Sequence, residues 1–245
     1  MLTITEIKGH IVTALKEFSA KFPNVKLPDV VVIPASRRQA ARNKVLRECG
    51  TYKEDYYGTR AEVVVGPLAT KILLYQSLAK TENQVKHALW HEFGHLLFGD
   101  ENTFGIDLSV DTPLRSGYAI VNEFMAEYVA YYINERESFG DAERPHVYLQ
   151  MAFQHGTITP YWLSRYFAIV LGDKNLSEKQ FFSAKQYVNE FVWEYIIKTK
   201  EYLSEQISQK NFWDIDKPFL ENVGACFDDL FHYMFINTAK FPFLQ

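Results

Sequence analysis

The chain has 245 residues, 47% hydrophobic and 16% aromatic, with a net charge of −4; that apolar content suffices for a large core and excludes a disordered chain, while the acidic balance lacks the basic footprint of a nucleic-acid binder. Cys49 and Cys226 have no C-x-x-C neighbour, which predicts a reduced, cytoplasmic chain with neither a disulfide framework nor a cysteine zinc site. The N-terminus has no charged stretch leading into an apolar one, and no apolar run reaches about 18 residues, so neither a secretory signal nor a membrane span is expected.

Ile7, Ile11, Val12, Leu15 and Phe18 recur at helical spacing, predicting an amphipathic helix over 5–20 that stops before Pro23. Val30 to Ile33, bounded by Pro28 and Pro34, reads as a short buried strand. The stretch 36–49 carries Arg37, Arg38, Arg42, Lys44 and Arg47 against the single acid Glu48. A solvated helix face accounts for that cluster, with docking of an acidic partner or of nucleic acid as the alternative. Two β-rich runs, 60–66 and 71–77, flank the turn residues Gly66 and Pro67.

Next comes His91-Glu92-Phe93-Gly94-His95. On a helix, residues i and i+4 share a face, so His91 and His95 can present two imidazole nitrogens to one metal ion. Glu92, on the adjoining face, can hydrogen-bond a metal-held water and take its proton. A chance H-E-x-x-H match has a probability on the order of one per cent, but Leu89, Trp90, Phe93, Leu96 and Leu97 mark a helix that must pack. Thr81 with Gln84, and Gly99 beyond the apolar run, bound it at 82–98. His87, one turn before His91 on the same face, could touch the site, but near the helix start it reads as solvent-facing.

Asp100 to Pro113 is a polar loop whose acids, Asp100, Glu101, Asp107 and Asp111, lack a calcium-loop spacing. Helical periodicity then returns in Asn122-Glu123-Phe124-Met125-Ala126-Glu127-Tyr128-Val129-Ala130, with Glu123 and Glu127 one turn apart. Surface acids are the ordinary reading of such a pair. Here, however, the N-E-x-x-x-(D/E) helix some 28 residues beyond His95 resembles the second zinc helix of the Glu-zincin metallopeptidases. With Glu123, Ala126, Val129 and Ala130 added to His91-Glu92-Phe93-Gly94-His95-Leu96-Leu97, residues 60–133 resemble the ImmA/IrrE family. The resemblance implies one Zn2+ per chain, held by His91, His95 and Glu123, with Glu127 orienting a histidine. It also implies a strand of 60–77 lining the cleft, an oxyanion donor, and a proteolytic regulator acting on a repressor-type partner. Tyr118, just before the second zinc helix, is the preferred donor, ahead of His146 and His155, although a packing or surface tyrosine is the commoner reading of such a residue.

From Glu137 the character changes. Phe139 to Pro145 reads as a boundary, followed by helices near 146–155, 160–171, 177–208 and 218–236 with an aromatic core containing Phe181, Phe182, Tyr187, Phe191 and Tyr195. The expected architecture is α+β: a zincin-like core over 1–138 with a small N-terminal sheet and the H-E-x-x-H helix, then a helical subdomain over 139–245 completing the cleft. The expected function is zinc-dependent hydrolysis of peptide bonds in a peptide or protein substrate, with no membrane or nucleic-acid partner. The alternative is a non-catalytic zinc-binding regulatory protein on the same scaffold. Retention of Glu92, which chemistry needs and metal binding does not, favours the enzyme.

Overall fold

The structure, a computed structural model, describes residues 2–52, 59–99, 101–107, 109–110, 112–139, 145–153 and 160–236, the side chains of 233–236 excepted. Asp100, Asp111, His155 and residues 140–144 of the expected boundary lie outside these. The protein is α+β, with helices far outweighing a small sheet. Its contacts divide it into two compact units, 1–96 and 97–245, and the composition change near residue 139 falls inside the second.

In the first unit, α1 (Ile4–Lys21) starts from a capping box in which Thr3 and Glu6 each satisfy the other's backbone N–H. Its apolar stripe buries Ile7, Ile11, Ala14 and Phe18. The sheet has β1 (Asp29–Ile33), β2 (Ala61–Val65) and β3 (Thr70–Tyr75) in the order β1-β3-β2. β1 runs parallel to β3, pairing Val31 with Leu73, and β2 runs antiparallel to it, pairing Glu62 with Leu73 and Val63 with Ile72. Because side chains alternate along a strand, this register turns Glu62, Val64, Leu73 and Tyr75 to one face. On that face α2 (Arg38–Cys49) contributes Val45, Leu46 and Cys49 to the core. α2 ends at Gly50, whose φ of +73° is the left-handed conformation of a helix stop.

The basic stretch on α2 is not simply a solvated face. Arg42 is 1% exposed, and its guanidinium donates to Glu62 Oε1 at 2.8 Å and Oε2 at 3.3 Å, and to the Tyr75 hydroxyl at 3.0 Å. Tyr75 in turn donates to Glu62, and the Arg38 guanidinium lies 3.8 Å from the centre of the Tyr75 ring. Burial alone would favour discharging Arg42, but the Glu62 carboxylate outweighs it and raises the arginine pKa further. Burial first, and Glu62 next, keep the Tyr75 phenol protonated far above the usual range.

α3 (Glu82–Phe98) closes the first unit. Trp90 Nε1 donates to the Ala14 carbonyl at 3.3 Å, and Phe93 meets Phe18 edge-on at 5.0 Å. His87 is 5% exposed, so it belongs to the buried side of the helix rather than to solvent. Its neighbours in the stripe, Val85, Ala88 and Leu89, are buried with it.

The second unit is helical: α4 (Glu101–Phe104), α5 (Pro113–Ile133), α6 (Pro145–Ala152), α7 (Pro160–Gly172), α8 (Glu178–Ser183), α9 (Glu190–Ser208) and α10 (Lys217–Ile236). α5 begins nine residues before Asn122, because Thr112 caps it and Pro113 occupies its first turn. It is the central helix of this unit, packed against α7 and α10. The single helix expected over 177–208 is broken: Ser177 caps α8, and Asn189 caps α9 by accepting from the Val192 N–H at 2.9 Å. The aromatic stripe survives the break, with Phe181 5.1 Å from Trp193. Cys49 and Cys226 are both buried free thiols. Among the described residues no helix is long and apolar enough to cross a membrane.

α5 and α10 touch at Gly117 and Gly224. A Cβ on Gly117 would stand 1.8 Å from the Leu220 carbonyl oxygen, and one on Gly224 1.7 Å from that of Pro113. Backbone cannot yield as a side-chain tip can. Gly117→Ala is therefore expected to lower the unfolding free energy by about 3 kcal/mol, whereas Gly9→Ala, on an exposed turn of α1 with nothing within 4 Å, should raise it by up to about 1 kcal/mol. Urea denaturation of the three proteins checks this, and equal midpoints for Gly117→Ala and the parent contradict the packing.

Candidate metal centre

The site is built on α3. Thr81 caps the helix by accepting from the Gln84 N–H at 3.2 Å, while the Gln84 side chain accepts from Lys80 N–H at 2.9 Å. Anchored through Trp90 and Phe93, the helix leaves His91 and His95 half-buried. Their Nε2 atoms face one another at 3.2 Å, with the rings perpendicular. Two nitrogens each about 2.05 Å from a tetrahedral zinc stand about 3.3 Å apart, so the observed spacing suits two ligands of one small cation. Glu123, on α5, completes the group: one ligand atom each from His91, His95 and Glu123 lie within 4.8 Å of one another. This group could hold a metal ion.

Glu92 lies between the histidines in sequence, on the adjoining face of the helix. It is 9% exposed, and its Oε2 accepts from the backbone N–H of Val63 in β2 at 2.9 Å. One carboxylate oxygen is thus tied to the sheet, and Oε1 is left to accept another donor. The buried Arg42–Glu62–Tyr75 cluster bears on the same strand, one residue earlier, and so helps hold Val63 in place.

Glu127 is fully buried and accepts from Arg165 Nη2 of α7 at 2.9 Å. The guanidinium also stands 5.5 Å from the Tyr148 ring centre and 5.7 Å from that of Tyr161. Burial works to discharge Arg165, but the attraction of Glu127 wins and raises its pKa. This arginine was not singled out from sequence. Tyr161 and Arg165 are one helical turn apart, which sequence shows, but the acid they meet lies 38 positions away from Arg165.

Tyr118 is buried in an aromatic stack with Phe98 at 5.5 Å and Phe104 at 5.9 Å. Its hydroxyl donates to the Gly99 carbonyl at 3.2 Å and accepts from Asn122 at 3.4 Å. His146 is stacked on Tyr187 at 5.2 Å.

Compared with known proteins, the chain matches no family model, no curated protein and no solved structure.

Glu127 carries a stability test of its own. Glu127→Leu strands the Arg165 charge in the interior and is expected to cost about 3–5 kcal/mol, much of which the double variant Glu127→Leu/Arg165→Met should restore. Urea denaturation measures both; a single variant within about 1 kcal/mol of the parent shows that Glu127 and Arg165 are not a buried pair.

Proposed function

We propose that the protein is a zinc-dependent metallopeptidase with His91, His95 and Glu123 as metal ligands and Glu92 as general base. The observation that carries the proposal is the 3.2 Å approach of the His91 and His95 Nε2 atoms, with a Glu123 oxygen in the same group, beside an acid that metal binding alone does not need. In support of a zincin-like core stands the unit in which β2, antiparallel to β3, sends the Val63 N–H to the acid of the metal helix.

Bound there, zinc supplies a Lewis acid that brings water near its neutral-pH ionisation and polarises a carbonyl. Glu92 does the proton work. With Oε2 held by Val63, Oε1 accepts the proton of the attacking water, and the same carboxyl later delivers it to the amine nitrogen as the C–N bond breaks. The fixed backbone donor prevents the carboxylate from rotating away, which keeps the base in one orientation. The substrate is a peptide or protein, and the resemblance to the ImmA/IrrE family points to a partner of the repressor type.

The test begins with metal. Protein purified without chelator is expected to hold about one zinc per chain, and Glu123→Ala should largely abolish that binding. No transition metal bound, and none taken up on adding zinc, overturns the proposal. Glu92→Gln keeps shape and can still accept from Val63, but it cannot take a proton. Zinc content and folding should persist while hydrolysis of a susceptible peptide falls about a hundredfold or more. Undiminished hydrolysis by Glu92→Gln removes it as the base, and a zinc-loaded wild type that hydrolyses nothing in a broad peptide and protein screen favours a zinc-binding regulator.

A further inference from the structure

Resting on that reading, we infer that Tyr161 is a catalytic residue: its hydroxyl donates to the carbonyl oxygen as negative charge develops there, and Arg165 is the residue that positions it. The inference starts from α5 and α7, which run in the same direction where they pack. Ser164 Oγ donates to the Ile120 carbonyl at 2.8 Å, and further along a Cβ on Gly172 would lie 2.9 Å from the Tyr131 ring. Tyr161 therefore stands one turn earlier on α7 than Arg165, just as Glu123 stands one turn earlier on α5 than Glu127.

Arg165 joins the two levels with its fork. Nη2 donates to Glu127 and Nη1 donates to the Tyr161 hydroxyl, each at 2.9 Å. A guanidinium already fixed by a buried carboxylate holds the phenol oxygen in one place. The hydroxyl spends its oxygen on Arg165, and among the described residues its proton goes to no acceptor. Tyr118 differs, because its proton is given to Gly99.

The protonation state fits a donor. Burial pushes the Tyr161 phenol up and Arg165 pulls it only partly back, so it keeps its proton at neutral pH. Tyr161 as a residue is half-buried. In the reaction, water oxygen bonds to the carbonyl carbon, the water proton passes to Glu92, and the carbonyl electron pair moves onto oxygen, where the Tyr161 hydroxyl meets it. No proton leaves Tyr161.

The variant is Tyr161→Phe, which removes one oxygen and keeps the ring that meets Trp162 edge-on at 4.7 Å. It is compared with the wild type, both zinc-loaded. Three quantities are measured: zinc affinity by chelator competition, binding of N-phosphoryl-Leu-Trp as a tetrahedral anion, and hydrolysis of a fluorogenic mixed-sequence peptide library. In Tyr161→Phe, zinc affinity is expected to stay within about twofold, while affinity for the tetrahedral anion and the hydrolysis rate both fall by a factor of about a hundred or more. Anion binding and hydrolysis by Tyr161→Phe equal to wild type overturn the inference alone, as does a loss confined to zinc affinity. Zinc-loaded wild type that fails to bind the anion also overturns it, whereas a wild type that takes up no zinc removes the reading on which it rests.

Discussion

Two imidazole nitrogens held 3.2 Å apart on one face of a helix are the constraint around which this protein is arranged. With one proton between them they form an N–H···N hydrogen bond, and the same spacing suits two lone pairs aimed at one small cation. Keeping them in this relation requires a helix that neither frays nor rotates, and the α3 contacts meet that need. Trp90 and Phe93 tie it to α1, and Glu92 ties it to the sheet.

The same helix presents two different sets of side chains because 3.6 residues per turn separates its faces. His91 and His95 fall one turn apart on one side, and Glu92 is turned by about 100° toward β2. A backbone N–H is a good anchor for such an acid. It cannot exchange a proton with the carboxylate, and its position is fixed by the β2–β3 register rather than by a side-chain rotamer.

Buried charge recurs on either side of this helix in sequence: Arg42 with Glu62 and Tyr75, and Arg165 with Glu127 and Tyr161. Neither cluster is an economical route to stability, since well-packed apolar residues of similar volume generally do as well or better. What each offers is direction. An arginine fork fixes the angle and distance of its partners: the first cluster locks the strand that meets Glu92, and the second locks a phenol and the acid one turn beyond Glu123.

Sequence by itself determined what local geometry controls. The spacing of Leu89, Trp90, Phe93 and Leu97 with Thr81 and Gly99 was enough for the bounds of α3, and i, i+4 spacing was enough to put His91 and His95 on one face. The strands near 30–33, 61–65 and 70–75 were legible from β-branched runs between turn residues. Tertiary structure decided what lies opposite each face. The arginines of α2 look like a solvated surface until Glu62 and Tyr75 take Arg42 inside, and His87 looks exposed until its side of α3 is packed. The break at Asn189 was hidden because the aromatic periodicity runs through it while the cap that interrupts the helix depends on one side-chain hydrogen bond. Glu127 meets Arg165, and Glu92 meets Val63, across 38 and 29 positions. Periodicity reports which residues share a face of an element, but the partner across that face is chosen by long-range packing, which no local pattern encodes.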